Sequence, residues 1–424
     1  MRILVLGSGA REHALAWKLS HSAEVSAVFA GPGNAGTAEV CTNLGDVDPM
    51  SFDTVLSAAR RNAMDCVFVG PETPLAAGVI DFLARRGIPA IGPGKAAARL
   101  ESSKAFSKAF LVRNGIPTAR ASEFSDPGAL EAFLARNTSQ RLVIKKSGLA
   151  AGKGVFESTR PEELLAFGKQ ALANDRVLVE EFLEGWELSV FGVSDGESYL
   201  VLPACTDFKK AHEGDTGANT GGMGSICPVP AADGATMRRV ELEIVEPTYS
   251  AMAREGLSYT GILYFGLMIT RAGPRVLEYN ARFGDPETQV LLPVLSFDFG
   301  GLVKAMLQKE LRSFACGIDP ASPVGAALGV VVAARGYPDS SGAAVPVQNL
   351  FDGKSDAAQL FHASTFRERD GTLHARGGRC FTVVGRGPDL RSAADRAYTE
   401  VEKIRFEGAW YRRDIGQRFT GVAR

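Results

Sequence analysis

The first hundred residues alternate short apolar runs with helical patterns. Buried strands are predicted at 3–6, 25–30, 66–69 and 88–91, and each run ends in a glycine-rich or polar loop. A helix carrying Leu15 and Leu19 follows the first strand. Short apolar strands separated by helices predict a doubly wound parallel sheet, which binds ligands along the carboxyl edge of its strands.

The first of these loops, 7–12, resembles a dinucleotide fingerprint only in part. Glu12 stands where the motif GxGxxG needs its third glycine. The second strand also lacks the acidic residue that binds a ribose, because it runs into AGPGNAG (30–36). A nicotinamide or flavin site is therefore disfavoured, and a phosphate-bearing small substrate at the helix N-terminus fits better.

A helix is predicted to begin after Ser102 or Ser103, with a buried stripe formed by Phe106, Ala109 and Phe110. Lys104 lies in its first turn, where the helix dipole disfavours a cation. An anionic partner such as a nucleotide phosphate would remove this conflict.

A smaller α/β unit is predicted from 119 to 188. Its strand 142–146 points Lys145 to the same side as Val143, and the loop GLAAGKG (148–154) follows. Small residues let such a loop lie close over phosphates, although the spacing is not that of a Walker A loop. The strand 177–179 leads into VEEFLEG (179–185), where backbone groups could meet an adenine edge, with Glu187 reaching the ribose.

Two apolar runs, 262–269 and 276–277, flank a turn at 270–274 and predict a β-hairpin. Period-two alternation then places Glu278, Asn280 and Arg282 on one face. Carboxylate and amide oxygens suit Mg²⁺, and the arginine adds a forked donor for a carboxylate or phosphate. A solvated strand face is the alternative, but the rigid polar turn 284–287 favours a site.

The last hundred residues predict an α+β unit, with strands at 327–333 and 380–384 and an amphipathic helix at 389–404. Leu390, Ala393, Ala394, Ala397, Val401 and Ile404 share its apolar face. The pattern indicates packing, and we assign no role to His362 or His374.

Composition narrows the class of protein. A chain of 424 residues suggests about three domains. Its net charge of −1 gives no indication of a basic surface that would bind nucleic acid or a membrane. Six scattered cysteines without a CxxC pair argue against zinc and disulfides. The N-terminal apolar run reads as a strand rather than a signal peptide. We expect a cytoplasmic protein; the sequence does not reveal the oligomeric state, and a monomer is the working expectation.

Eight motifs occur along the chain in one recognisable order. They are GSGAREHALAWKL (7–19), PGNAGTA (32–38), VGPETPL (69–75), SKAF (103–106), GLAAGKGV (148–155), DTGANTGGMG (215–224), RFGDPETQ (282–289) and RRDIG (412–416). With them the chain resembles the ATP-grasp ligases, and within these the phosphoribosylamine–glycine ligase family of purine synthesis. The resemblance implies an α/β and α+β multidomain architecture. Its parts would be a Rossmann-like substrate domain at 1–102, an ATP-grasp domain at 103–324 with a nucleotide-covering subdomain at about 119–188, and a C-terminal α+β domain at 325–424.

The resemblance also implies a reaction. ATP would phosphorylate the glycine carboxylate, and the amine of 5-phosphoribosylamine would attack the glycyl phosphate, giving glycinamide ribonucleotide, ADP and phosphate. No side-chain nucleophile is needed, so catalysis would consist of positioning and charge neutralisation. The implied cofactors are ATP and Mg²⁺ or Mn²⁺.

Roles follow residue by residue from the motif match. ATP contacts are expected from Lys104, Lys145, Gly148, Gly152, Lys153, Gly154, Val155, Glu180, Glu181, Phe182, Leu183 and Glu187. The expected metal ligands are Glu278 and Asn280. Contacts with the amine and glycine substrates are expected from Gly9, Asn34, Gly36, Glu72, Asp207, Lys209 and Arg282. The expected catalytic residues are Arg282, Lys145 and Asp207.

The chain departs from the family pattern in several places. Lys146-Ser147 replaces the usual Ala-Asp, Phe208 replaces His in Gln-Asp-His-Lys-Arg, and Ala218 and Ala281 replace a common Pro and Cys. These changes bear on substrate affinity more than on reaction type. Two alternatives stay open: another ATP-grasp carboxylate–amine ligase, including one that uses formate, and a nucleotide-binding protein with weakened catalysis.

Overall fold

The computed structural model describes residues 1–150, 154–316, 318–340, 342–351 and 357–420. Its N-terminal part is the predicted doubly wound sheet, with all neighbouring strands parallel. The strand order is Thr42–Asn43, Ala27–Pro32, Arg2–Gly7, Cys66–Val69, Ala90–Ile91. The helices are Ala10–Ser20, Thr37–Val40, Phe52–Arg61, Glu72–Ala77, Val79–Ala84 and Lys95–Ser102. Ile3 to Leu6 of the central strand are apolar and fully buried, as expected of a parallel strand whose two faces are covered by helices.

The helix Lys104–Arg113 leads into the next unit. Ser103 caps it as predicted, since its hydroxyl accepts a hydrogen bond from the Phe106 N–H at 3.3 Å. The predicted stripe is wrong at Ala109, which is exposed. The buried positions are Ser107, Phe110 and Leu111, a helical i, i+3, i+4 set that turns position 109 outward.

A small antiparallel sheet follows, with the strand order Ala121–Phe124, Val177–Glu181, Leu142–Lys146, Val155–Ser158. Helices Pro127–Ala135 and Pro161–Leu172 accompany it. Leu130, Ile144 and Leu164 belong to a core cluster of this unit's own. This unit therefore packs as a small subdomain.

The larger antiparallel sheet carries the predicted hairpin. Its order is Tyr199–Val201, Trp186–Asp195, Thr260–Thr270, Gly273–Asn280. The short hairpin Lys210–His212 and Thr216–Asn219 lies between its strands in sequence. The accompanying helices are Gly234–Val240, the π-helix Glu241–Val245, Glu246–Arg254, Glu287–Leu291, the 3-10 turn Leu292–Val294, Phe299–Gln308 and Leu311–Phe314.

A third sheet joins the last hundred residues to the middle of the chain. Its order is Thr206–Asp207, Gly224–Cys227, Ala326–Ala333, Arg379–Gly387, Ala358–His362. The strands Thr365–Arg367, Leu373–Ala375, Val345–Asn349 and Arg405–Phe406 form a further sheet. The helices of this part are Leu390–Val401 and Gln417–Thr420. Because the third sheet crosses position 325, the division of the chain at that point stays a prediction.

The amphipathic helix near the C-terminus packs as the pattern predicts. Leu390, Ala393, Ala397 and Val401 are buried within helix Leu390–Val401, and Ile404 is buried just beyond it. Within the described part of the chain, no single helix is long and apolar enough to cross a membrane. One pair, Glu287–Val294 with Phe299–Gln308, reaches that composition only jointly, across a bend of 100°.

Candidate active site

A cavity of about 490 Å³ lies where the small sheet, the large sheet and the carboxyl edge of the N-terminal sheet meet. A second cavity of about 400 Å³ continues it, and both are lined by Lys145, Glu180 and Glu278. We refer to the two together as the cleft. Most of the residues predicted from sequence line it, although they come from distant parts of the chain.

Two lysines and a glutamate form the floor of the cleft. The Glu180 carboxylate lies 2.7 Å from the Lys145 ammonium and 3.0 Å from that of Lys108. Lys145 also donates to the Leu277 carbonyl at 3.2 Å. Although burial acts in the opposite direction, Glu180 raises the pKa of Lys145. Because both lysines bind the Glu180 carboxylate, the expected adenine contact of this residue is left to its backbone. Lys108 was not among the site residues predicted from the sequence.

Lys104 stands at the entrance to the same floor. Its ammonium donates to the Gly148 carbonyl at 3.3 Å. Burial, opposed by Glu278 and reinforced by Lys145, lowers the pKa of Lys104. The Lys104 ammonium therefore donates its hydrogen bond to an uncharged carbonyl and lies near a second cation, Lys145. An anionic ligand bound here would stabilise both charges.

The departure at Ser147 has a structural explanation. Its hydroxyl accepts from the Ala105 N–H at 3.2 Å, and its carbonyl accepts from the Lys104 N–H at 2.8 Å. Ser147 therefore ties the end of strand Leu142–Lys146 to the start of helix Lys104–Arg113. This contact holds Lys145, near the end of the strand, and Lys104, at the start of the helix, next to each other in the cleft.

The loop beyond Ser147 is described only in part. The Gly148 N–H donates to the Asp175 carboxylate at 2.7 Å, and Gly154 accepts from the Lys146 N–H at 2.8 Å. Gly154 and Val155 line the cleft. Gly152 and Lys153, for which we expect ATP contacts, lie outside the described residues.

An apolar slot occupies the second cavity. Val143, Met268 and Leu277 line it together with the segment 181–183, and Trp186 stands at its side. Glu181 points its carboxylate to Arg120 at 2.8 Å, and the Arg141 guanidinium covers the Phe182 ring at 3.8 Å. The side chains of Glu181 and Phe182 are thus engaged by the two arginines, and the backbone of the segment is left facing the slot.

The hairpin presents the expected metal ligands through a β-bulge. Gly266 pairs with Glu278 but Leu267 pairs with Val276, so Leu277 is the extra residue. Glu278, Tyr279 and Asn280 all line the cleft, although the Tyr279 side chain is only 2% exposed. The described residues contain no group of three or more His, Cys, Asp or Glu that could hold a metal ion. One carboxylate and one amide oxygen nevertheless fit Mg²⁺, which takes few protein ligands and keeps waters and phosphates.

Arg282 is held by acids that the sequence did not predict as its partners. Its guanidinium lies 2.8 Å from the Glu101 carboxylate and 3.5 Å from that of Glu72, and it donates to the Phe283 carbonyl at 3.0 Å. Burial raises the pKa of Glu101 against the influence of Arg282. The Arg282 Nε atom is the one that faces Glu72, and among the described residues it is buried and makes no hydrogen bond. Arg282 also donates to the Asn280 amide oxygen at 3.4 Å, which links the guanidinium to one of the expected metal ligands.

Asp207 and Lys209 meet Glu187 at the junction of the two cavities. The Lys209 ammonium lies 2.5 Å from Glu187 and 2.8 Å from Asp207. Burial raises the pKa of Asp207, while Lys209 opposes the shift. Between them, Phe208 is 3% exposed, and the Arg418 guanidinium lies 5.3 Å from its ring. The substitution at 208 therefore gives this position a packing role.

The N-terminal loop is closed by Glu12. One carboxylate oxygen accepts from the Gly9 N–H at 2.6 Å, and the other lies 2.6 Å from Arg11. Arg11 in turn donates to the Phe283 carbonyl at 3.2 Å, which docks the loop onto the RFGDPETQ segment. Glu12, which stands in place of the third glycine of the dinucleotide motif, thus binds the Gly9 N–H that could otherwise bind an anion. Gly9 therefore has its N–H satisfied internally.

Asn34 and Gly36 do not line the cleft. The Asn34 amide donates to the Ser8 and His362 carbonyls, each at 2.8 Å, and its oxygen accepts from the N–H groups of Gly36 and Thr37. Both ends of this side chain are committed to backbone groups. The structure gives the pair a supporting role behind the loop, and direct substrate contact stays a prediction.

The last hundred residues contribute side chains to the cleft, which sequence analysis missed. Arg379 donates to the Gly221 carbonyl at 2.6 Å and lies 3.0 Å from the Asp285 carboxylate. The Tyr337 hydroxyl accepts from the Gly221 N–H at 2.9 Å. Arg412 anchors the same region through Asp414 and Asp215, at 2.8 and 2.9 Å. The family motif RRDIG, which contains Arg412 and Asp414, was the sequence signal for this part of the chain, but it gave no sign of a role for Arg379 or Tyr337.

The two lysines Lys104 and Lys145 and the pair Glu278 and Asn280, which carry the resemblance to the ATP-grasp class, thus line one cleft between two antiparallel sheets. Family models for phosphoribosylglycinamide synthetase match residues 1–101 (N domain), 102–288 (ATP-grasp domain) and 327–418 (C domain). The chain belongs to this family.

Individual relatives agree with the assignment. The chain is 41% identical to a phosphoribosylamine–glycine ligase of Chlorobaculum tepidum over 98% of this chain and 99% of the relative. It is 43% identical to one of Streptomyces coelicolor, with both chains covered completely. The crystal structure of the Thermotoga maritima ligase superposes with a TM-score of 0.82 at 35% identity, covering 98% of this chain and all of that one.

Proposed function

We propose that this chain ligates glycine to the amine of 5-phosphoribosylamine at the expense of ATP, in purine biosynthesis. The products are glycinamide ribonucleotide, ADP and phosphate, and glycyl phosphate is the intermediate. The observation that carries the proposal is the convergence of Lys104, Lys145, Glu278, Asn280 and Arg282 on one cleft in a chain of this family.

ATP occupies the length of the cleft. The apolar slot of Val143, Met268 and Leu277 takes the adenine ring, whose edge meets the backbone of 181–183. Lys104 and Lys145 neutralise the phosphates, and Glu187 accepts from the ribose hydroxyls, with Lys209 fixing its carboxylate. The glycine-rich loop from 148 to 155 covers the phosphates.

Glu278 and Asn280 hold Mg²⁺ or Mn²⁺, and the bound ion supplies charge neutralisation for the transferring phosphoryl group. Arg282 binds the glycine carboxylate, while Glu101 and Glu72 fix the position of its guanidinium. Because a fixed guanidinium meets charge that develops during transfer, it favours the transition state over the ground state.

The amine substrate enters from the side of the N-terminal sheet. Glu72 lines that end of the cleft, Asp207 and Lys209 line the same cavity where it meets the second one, and Gly9 forms part of the neighbouring loop. Asn34 and Gly36 support this loop from behind. The catalytic contributions are thus charge neutralisation by Lys145 and Arg282 and substrate orientation by Asp207.

Omission of single components tests the proposal. Purified protein is supplied with ATP, Mg²⁺, glycine and freshly generated phosphoribosylamine, and ADP and glycinamide ribonucleotide are measured. We expect that leaving out any one component abolishes the ligated product. Full ADP release without glycine, or ligation of a different carboxylate in preference to glycine, would contradict it.

A further inference from the structure

One buried acid in the cleft wall has no role in the steps above. Glu287 begins helix Glu287–Leu291, is 4% exposed and lines the cleft. The Ser189 hydroxyl donates to its Oε1 atom at 3.2 Å, and that hydroxyl lies 3.1 Å from the Tyr264 hydroxyl. Among the described residues, Ser189 supplies the one side-chain hydrogen bond of this carboxyl group.

Ion pairing sets Glu287 apart from the other acids that line the 490 Å³ cavity. Glu72 and Glu101 pair with Arg282, Glu180 with two lysines, Asp207 with Lys209, and Asp285 with Arg379. Glu278 is assigned to the metal. Within the described part of the chain, Glu287 is the remaining carboxyl group of this wall, and no ion pair fixes its charge.

The surroundings of Glu287 suit a group that exchanges a proton. Burial and then the Asp207 carboxylate raise the pKa of Glu287 to about 7, while Lys209 and Arg282 oppose the shift. The charged and titratable groups that face it are Asp207, Lys209, Tyr264, Arg282, Arg379 and the thiol of Cys205. A carboxyl group in this range can accept a proton and release it again near neutral pH.

Amide formation needs such a group. The nitrogen lone pair forms a bond to the glycyl carbonyl carbon, and the bond from that carbon to the bridging phosphate oxygen breaks, with its electron pair leaving on phosphate. The attacking nitrogen then carries a surplus proton, which must be removed. Lys145, Arg282 and Arg379 are held as cations by their acids, and Lys104 faces the ATP phosphates in the proposed complex, so these groups do not accept it.

We propose that Glu287 accepts this proton from the attacking amine, that Ser189 positions its carboxyl group, and that the proton then passes to water. The inference rests on the ligation proposed above. Glu287 thereby acts in the second half-reaction and leaves phosphorylation of the glycine to the lysines and Arg282.

Glu287→Gln tests the inference through a separation of kcat from KM. We expect kcat for ligation to fall ~10²-fold, since general-base assistance contributes about that much, while KM for glycine and for ATP change little. In the wild type, kcat should rise with pH through a step near 7, where the carboxyl group loses its proton. This step should disappear in the variant.

Two further variants keep the test decisive if the glutamine variant folds poorly. Glu287→Asp should retain the pH step at reduced kcat. Ser189→Ala should move the step to higher pH, because it removes a donor that favours the charged carboxylate. Asp195→Asn is the matched control: Asp195 is a 1% exposed carboxylate at the far end of the strand that carries Ser189, and it does not line the cleft.

The outcomes separate this inference from the proposed function. If the wild type forms no glycinamide ribonucleotide, the ligation itself is wrong. If the wild type ligates and Glu287→Gln matches it in kcat, or changes only KM for glycine, proton acceptance by Glu287 is overturned.

Discussion

Replacing Glu180 by glutamine isolates the charge that holds the two cleft lysines. The carboxylate pairs with Lys145 at 2.7 Å and with Lys108 at 3.0 Å. Glutamine keeps the size of the side chain but removes the charge. The variant therefore leaves two buried ammonium groups facing each other without their acid.

The magnitude follows from burial. The side chains of Lys108, Lys145 and Glu180 are 11, 9 and 4% exposed, so water screens them little. Removing one partner of a buried ion pair costs about 3–5 kcal/mol. In a domain the size of the ATP-grasp domain (102–288), each kcal/mol of lost stability lowers the melting temperature by about 2–4 °C, so we expect the Tm of the variant to fall by roughly 6–20 °C. ATP phosphates would replace the missing charge, so ATP should raise the Tm more in the variant than in the wild type.

Thermal unfolding with and without saturating ATP measures both effects. Glu181→Gln is the matched control, because the neighbouring Glu181 pairs with Arg120, whose side chain is 88% exposed. We expect this control to lose at most about 1 kcal/mol and to keep the wild-type response to ATP. Equal Tm losses in both variants, or an unchanged ATP response in Glu180→Gln, would refute the account of the cleft floor.

Three further substitutions test other parts of the site. Glu278→Gln should lower turnover ~10²-fold at limiting Mg²⁺ with an unchanged Tm, and excess Mg²⁺ should restore part of it; turnover titrated against Mg²⁺ checks this. Arg282→Lys keeps the charge but loses the fork, so calorimetric ATP affinity should stay within a few-fold while turnover falls ~10²-fold. Arg412→Lys keeps the charge but loses the fork that joins Asp414 and Asp215, so unfolding in urea should show a loss of about 1.5–3 kcal/mol, the scale of hydrogen bonds to charged groups. Unchanged values in these assays would remove the corresponding role.

Local patterns were readable from the sequence. The hairpin Thr260–Thr270 with Gly273–Asn280 confirms the prediction because alternation and turn residues lie within one stretch. The parallel sheet also follows from its apolar runs, as strand Arg2–Gly7 shows. The edge strand Thr42–Asn43 was not predicted, because a strand of two residues is too short to show a hydrophobic period.

Long-range partners were not readable. Glu101 holds Arg282 from a helix far away in sequence, and nothing in its own helix marks it as a partner. Arg379 reaches the cleft only because strand Arg379–Gly387 pairs with Ala326–Ala333, which continues the sheet to Gly224–Cys227. Glu12 could be recognised as a break in a motif, but not as the group that binds the Gly9 N–H. Charge pairing depends on tertiary contacts, which sequence periodicity does not encode.

Transfer of an oxygen atom from glycine to phosphate shows whether glycyl phosphate is the intermediate. Glycine labelled with oxygen-18 in its carboxylate is ligated by the purified protein, and the released phosphate and nucleotide are analysed by mass spectrometry. The account predicts one labelled oxygen in each inorganic phosphate, because the bond between the glycyl carbon and the bridging oxygen breaks. Unlabelled phosphate, or label in a released nucleotide, would contradict a glycyl phosphate intermediate.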